Sequence, residues 1–190
     1  PTQHSAKRLR EIGIQPDILL CRCDRDLPSE IRDKIALFCN VNAENVIAAP
    51  DVGNIYELPL VFSAQKLDEQ ILTQLGIWTG EGRLDEWRAM LEKWRNASKT
   101  TEIAIVGKYV HLGDTYRSLN EALRHGGIPH DTKVVLRHLD SEELDASNLE
   151  EKLKGCGGVL VPGGFGKRGV EGKILAIQYA REKKIPFFGI

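Results

Sequence analysis

The amino-acid sequence predicts an α/β chain in two parts, each a parallel sheet with flanking helices. Three observations carry that reading. From residue 102 onward, short apolar runs alternate with helical patterns in strict β-α-β order, which favours a parallel sheet covered on both faces. Residues 1–76 show a looser version of the same alternation. Between them the texture changes: Gly76, Gly80 and Gly82 punctuate one end of 77–101 and Ser98-Lys99-Thr100-Thr101 the other, with one helix between.

The elements follow from local chemistry. Ser5 is placed to cap a helix over 5–12, with Gly13 just past its end. D-I-L-L-C over 17–21 reads as a buried strand. Pro28-Ser29-Glu30 opens a helix whose Ile31, Ile35 and Phe38 recur at helical spacing. Residues 46–48 form a short strand, and 55–75 read as mostly helical, with Pro59 in a first turn or at an interruption. Over 84–95, Trp87, Met90, Leu91 and Trp94 give one apolar face that should dock on something. Strands then fall at 103–106, 134–138, 158–162 and 186–190. Helices fall at 115–125, closed by Gly126-Gly127, near 149–153, and at 170–183.

Composition narrows the function classes. The 190 residues are 42% hydrophobic and 28% charged, a globular balance rather than a disordered one. With 26 Lys+Arg against 27 Asp+Glu, the net charge of −1 argues against a chain-wide surface for nucleic acid or anionic lipid. No apolar run approaches the roughly 20 residues of a membrane span. The start, P-T-Q-H-S, has neither an initiator Met nor a signal-peptide core, so a piece of a longer, cytoplasmic protein is expected. Cys21, Cys23, Cys39 and Cys156 are too few and too uneven for a disulfide framework. C-x-C at 21–23 fails the spacing of zinc sites, and no metal site is expected.

The turn Gly164-Phe165-Gly166-Lys167-Arg168-Gly169 satisfies G-x-G-x-x-G. A dinucleotide fingerprint, however, belongs in the first strand–helix turn and wants an acidic residue about 20 positions on. This turn follows the third strand, and Phe187-Phe188-Gly189 stand where the acid should be. The whole phrase L-V-P-G-G-F-G suits another chemistry: adjacent glycines at a strand end let backbone N–H groups approach an oxyanion. P-F-F-G-I then reads as the front half of a nucleophile elbow, with the nucleophile expected directly after Ile190.

These phrases resemble the CTP synthase family. I-A-I-V-G-K-Y (103–109), L-N-E-A-L-R-H-G-G (119–127), L-D-S-E-E-L (139–144), L-V-P-G-G-F-G-K-R-G-V-E-G-K (160–173) and I-P-F-F-G-I look like its glutamine amidotransferase domain. P-T-Q-H-S, G-I-Q-P-D-I-L-L-C-R, K-I-A-L-F-C-N and the D-V-x-x-I-Y-E-L-P-L phrase (51–60) resemble the end of its ammonia-ligase domain.

The resemblance implies a Rossmann-like synthetase segment at 1–76, an interdomain connector at 77–101, and the first half of a class I glutamine amidotransferase domain at 102–190. It implies an ATP-dependent ligase, homotetrameric and cytoplasmic. Such an enzyme hydrolyses glutamine and uses the ammonia to turn UTP into CTP, with GTP as activator and CTP as inhibitor.

Residue by residue, it places UTP or CTP at Pro1, Thr2, Gln3 and Lys34, and ATP at Pro50, Asp51 and Val52. Glutamine and its oxyanion fall to Gly163 and Gly164, and an interface loop to Phe165 and Gly166. Mg2+ accompanies ATP on ligands outside this chain, and the nucleophilic cysteine follows Ile190, so the chain alone is expected to be inactive. Two rivals stand beside this reading: a non-catalytic regulatory or filament-forming interaction module on the same scaffold, and a dinucleotide-dependent oxidoreductase using the 164–169 turn.

Overall fold

A computed structural model describes residues 1–78, 80, 82–112 and 114–190. The chain divides into two compact units, Pro1–Leu91 and Glu92–Ile190.

In the first unit, α1 (Thr2–Glu11) begins three residues earlier than Ser5 suggests, because Ser5 N–H already donates to the Pro1 carbonyl at 3.0 Å. Ser5 is therefore inside the helix and not its cap. The other end behaves as expected: Gly13 takes φ +86°, its N–H bonds Arg10 O and that of Ile14 bonds Leu9 O. This paired arrangement satisfies the last carbonyls of the helix.

Strand β1 (Leu19–Cys23) pairs in parallel with β2 (Val46–Pro50), Leu19 facing Val46 and Cys23 facing Pro50. The predicted strand lay two residues too early. Between them runs α2 (Ser29–Cys39). Its inward residues are Ile35, Ala36 and Cys39, whereas Ile31 and Phe38 are exposed. The helix is apolar around most of its girth, so spacing alone does not select a face. Ala36 and Ile35 are the residues packed with Cys21 and Val46, and Cys39 is fully buried one turn on from them.

The stretch read as one helix divides into α3 (Leu58–Ala64) and α4 (Leu67–Leu75), with Pro59 in the first turn of α3. The break lies at Gln65-Lys66, where Lys66 adopts φ +59°. Gln65 is what the break serves. Its amide accepts from Ala48 N–H at 2.9 Å and donates to Ala48 O at 2.8 Å, acting as a one-residue neighbour on the free edge of β2. Helix α5 (Asp85–Arg95) keeps the predicted face, and Trp87 donates to Tyr56 O at 2.8 Å.

The second unit is a four-stranded, all-parallel sheet. In chain order it comprises β3 (Lys99–Gly107), α6 (Arg117–Gly127), β4 (Thr132–Asp140), α7 (Leu149–Leu153), β5 (Gly158–Val161), α8 (Val170–Glu182) and β6 (Phe187–Gly189). The strand order across the sheet is β4-β3-β5-β6. β3 therefore starts at Lys99, inside the range read as connector. Its side chains alternate: Ala104 and Val106 pack with α7 and α8, Ile103 and Ile105 with Leu119 and Leu123 of α6. Helices thus cover both faces, as a parallel sheet requires.

Gly126 and Gly127 do not close α6; both lie inside it. Gly127 is there for contact, since a Cβ would overlap the Thr132 carbonyl oxygen. Gly172 is tighter still, as a Cβ there would overlap the Ser141 carbonyl oxygen. Among the described residues no helix is long and apolar enough to cross a membrane.

These environments predict opposite outcomes for two glycines. Gly126→Ala meets nothing within 4 Å and should stabilise by about 0.5–1 kcal/mol through helix propensity. Gly172→Ala must push α8 off backbone and should cost at least about 2 kcal/mol. Urea unfolding of the two variants checks the pair.

Candidate functional site

In an open parallel sheet, chemistry gathers at the carboxyl ends of the strands. In the second unit those ends bring together Gly107-Lys108 after β3, Asp140-Ser141-Glu142 after β4, residues 162–169 after β5, and Ile190 after β6. Ile190 N–H donates to Val161 O at 3.0 Å. An ideal Cβ on Gly163 would lie 3.7 Å from Ile190 O, so the loop after β5 and the end of β6 are side by side.

Pro162 is buried, and the chain then emerges into solvent from Gly163 to Arg168, with Phe165 94% exposed. The backbone N–H groups of Gly163, Gly164, Phe165 and Gly166 have no acceptor among the described residues. The carbonyls of the same loop are held from beneath. Buried Lys108 donates to Phe165 O at 2.7 Å and Gly166 O at 2.9 Å, and Lys173 of α8 donates to Pro162 O at 2.9 Å. Burial, with a smaller contribution from the Lys108 ammonium, pulls the Lys173 pKa below the usual lysine range.

The loop thus offers several N–H donors without partners among the described residues and two ammonium groups bonded to its carbonyls, an arrangement suited to an oxygen that becomes negative during reaction. Gly166 and Gly169 adopt φ +81° and +67°, and Gly169 precedes α8. Arg168 Nε pairs with Glu142 at 2.8 Å, and His111 with Asp140 at 3.1 Å. None of the four cysteines lies at a strand-to-helix elbow. Cys39 ends α2, Cys156 precedes β5, and burial raises the thiol pKa of both Cys21 and Cys156.

Sequence reasoning singled out Gly163, Gly164, Phe165 and Gly166, and the structure gathers them in one loop. It passed over Lys108 and Lys173. For Lys108 the available signal was a lysine directly after the apolar run I-A-I-V-G, where burial forces the ammonium to find carbonyl partners.

In the first unit, Pro50, Asp51 and Val52 leave the carboxyl end of β2. Asp51 N–H is already bonded to Cys23 O at 2.9 Å and its carboxylate to Arg22 Nε at 2.9 Å. Pro1, Thr2 and Gln3 open α1, while Lys34 is exposed on α2. No hydrogen bond or ion pair joins Lys34 to those three among the described residues. No group of three or more His, Cys, Asp or Glu side chains converges on a metal-sized site among the described residues.

Comparison with known proteins gives this geometry a relative. Residues 1–77 match the family described as CTP synthase N-terminus, and residues 111–190 match glutamine amidotransferase class-I. The CTP synthase of Geobacter metallireducens is 56% identical over 191 residues, covering 100% of this chain and 36% of that protein. That of Syntrophus aciditrophicus is 55% identical over 190 residues, covering 100% and 35%. The chain is homologous to a segment of CTP synthase.

It spans about a third of the length of the CTP synthases it matches. A solved structure described as Trypanosoma brucei CTPS, glutaminase domain with bound acivicin, is 46% identical over 47% of this chain and 35% of that one. Its TM-score of 0.42 carries no fold argument. The G-x-G-x-x-G turn falls inside the amidotransferase match, which removes the ground for a dinucleotide fingerprint.

The two ends of that turn differ in tolerance. A Cβ at Gly164 would make ordinary van der Waals contacts, with Lys173 Nζ at 3.4 Å, Lys108 Cδ at 3.7 Å and Lys108 Cε at 4.0 Å, and would displace nothing. A Cβ at Gly169 would overlap the Ser141 hydroxyl while the backbone sits at φ +67°. Gly164→Ala should therefore shift Tm by no more than about 2 °C and Gly169→Ala lower it by about 5 °C or more, read by thermal unfolding.

Proposed function

We propose that the chain is the central segment of a glutamine-hydrolysing CTP synthase. Residues 1–76 are the last part of its ammonia-ligase domain, 77–101 the connector, and 102–190 the first half of its glutaminase domain. The observation that carries this reading is identity of 53–56% running the full length of the chain in relatives of that name. The unpaired amides of the 163–166 loop beside Ile190 supply a chemical reason for it.

In the proposed reaction, a cysteine thiolate directly after Ile190 attacks the glutamine carboxamide carbon. The C=O π electrons move onto oxygen, and Gly163 and Gly164 N–H groups receive that oxyanion. Its collapse, with a proton delivered to the nitrogen by a general acid of the full-length protein, expels ammonia and leaves a thioester, which water cleaves to glutamate and free thiol. The ammonia then replaces the UTP O4 oxygen after ATP phosphorylates it.

Pro1, Thr2, Gln3 and Lys34 are assigned to UTP or CTP, a helix-borne ammonium being a point-charge partner for phosphate. Pro50, Asp51 and Val52 are assigned to ATP. Because Pro50 has no N–H and Asp51 N–H is committed to Cys23, contact with adenine falls to the carbonyls and to Val52. Phe165 and Gly166 form the interface loop, and GTP is the activator. Mg2+ belongs with ATP, on ligands outside this chain. A cytoplasmic homotetramer completes the proposal.

The deciding experiment is an assay of the full-length protein for glutamine hydrolysis with and without GTP, then for CTP formation from UTP and ATP. GTP-stimulated hydrolysis coupled to CTP is expected. A folded protein with neither activity would overturn the reading in favour of an interaction module on the same scaffold.

A further inference from the structure

We propose that Lys108 and Lys173 are positioning residues for glutamine hydrolysis, their ammonium groups holding the carbonyls of the 162–166 loop so that its amides point outward. The inference rests on the glutaminase reading above and adds the two residues that anchor the loop on either side of its oxyanion donors. Lys173 fixes the peptide that bears the Gly163 N–H, and Lys108 fixes the far end of the same loop beyond Gly164.

A trans peptide is planar, with its C=O and N–H pointing in opposite directions. Lys173 Nζ draws the Pro162 carbonyl toward α8 at 2.9 Å, so the N–H of the same peptide, that of Gly163, points away from α8. Lys108 does the same twice. Its bonds to Phe165 O and Gly166 O turn the N–H groups of Gly166 and Lys167 away from β3. Gly164 lies between the two clamps, its ideal Cβ position 3.4 Å from Lys173 Nζ and 3.7 Å from Lys108 Cδ.

The loop needs such anchors. Residues 163–168 are exposed, three of the six loop positions 162–167 are glycine, and the four N–H groups from Gly163 to Gly166 gain no backbone partner to fix them. A glycine-rich stretch left to itself samples many conformations at high entropy. Both cations bond carbonyls of this same short loop, and positive charge so near favours negative charge developing beside it. The low Lys173 pKa, set by burial and by Lys108, fits two ammonium groups brought close to serve one short segment.

The test uses full-length protein carrying Lys173→Met, Lys108→Met and Lys173→Arg. Methionine keeps the length of the side chain and removes the donor; arginine keeps a donor. Three rates are read: glutamine hydrolysis, ammonia-dependent CTP formation, and inactivation of the glutaminase by iodoacetamide, whose displacement at carbon forms no oxyanion.

Expected are a fall in glutaminase kcat of at least about tenfold in each Met variant, with KM changed less than about threefold. Ammonia-dependent CTP formation and the iodoacetamide rate should stay at wild-type values, and Lys173→Arg should recover most of kcat. Wild-type kcat in both Met variants would overturn the inference and leave the functional reading intact. So would a parallel fall in kcat and the iodoacetamide rate, which marks a collapsed site. A wild-type protein without glutaminase activity would overturn the functional reading itself. Lys108 is buried, so if Lys108→Met does not fold, the half-buried Lys173 decides the matter alone.

Discussion

In the second unit, the placement of every candidate group depends on β3 accepting parallel neighbours on both sides. Pairing with β4 runs from Lys99 opposite Thr132 to Gly107 opposite Asp140, and pairing with β5 sets Ile103 opposite Gly158. With all strands pointing one way, Gly107, Asp140, Val161 and Gly189 end at one edge. The alternation of Ala104 and Val106 with Ile103 and Ile105 holds that register, because a one-residue slip would exchange the two faces. Lys108 then leaves the buried end of the strand, Ala104–Gly107, and puts its charge against the loop carbonyls beside it.

That loop combines two opposed requirements. Donors that act on a transient negative charge must be free of partners and yet fixed in direction before the charge appears. Glycines at 163, 164 and 166 leave the approach open, and they also remove the side chains that ordinarily hold a loop down. The lysines restore rigidity from the carbonyl side, which leaves the N–H side untouched. A neutral donor would make a weaker bond, since hydrogen bonds to an ionised donor are roughly twice as strong.

Much of this was legible in the residues. The β-α-β order, the helix over α5 with its apolar face, and the glycine-rich turn before α8 all follow from periodicity and from glycine and proline punctuation. The motif phrases placed Gly163, Gly164, Phe165 and Gly166 in one loop. What escaped has a common physical cause: the decisive partner was distant in sequence. Ile31 and Phe38 gave α2 a plausible inner face, but the close approach allowed by Ala36 and Cys39 chose another. Gly126 and Gly127 looked like a helix stop, whereas Gly127 is required by the carbonyl of Thr132. The α3–α4 break carries neither glycine nor proline, and its purpose, the Gln65 amide on the edge of β2, belongs to a contact 17 residues away. Lys108 and Lys173 escaped for the same reason, since a lysine's role is set by the carbonyls its long side chain reaches.

The absence of any hairpin in the described strands has a further cost, paid in time. A hairpin zips from a tight turn, but here Lys99 must find Thr132 across α6, Val159 must find Phe187 across α8, and Ile103 must find Gly158 across α6, β4 and α7. Loop-closure entropy is spent before any of those pairings returns energy, which places such sheets among the slower folders. Until β5 arrives, one side of β3 is an unpaired apolar ladder, and during synthesis β5 is made long after β3. The central strand that organises the finished site is therefore also the segment most exposed to wrong partners while the chain is being made.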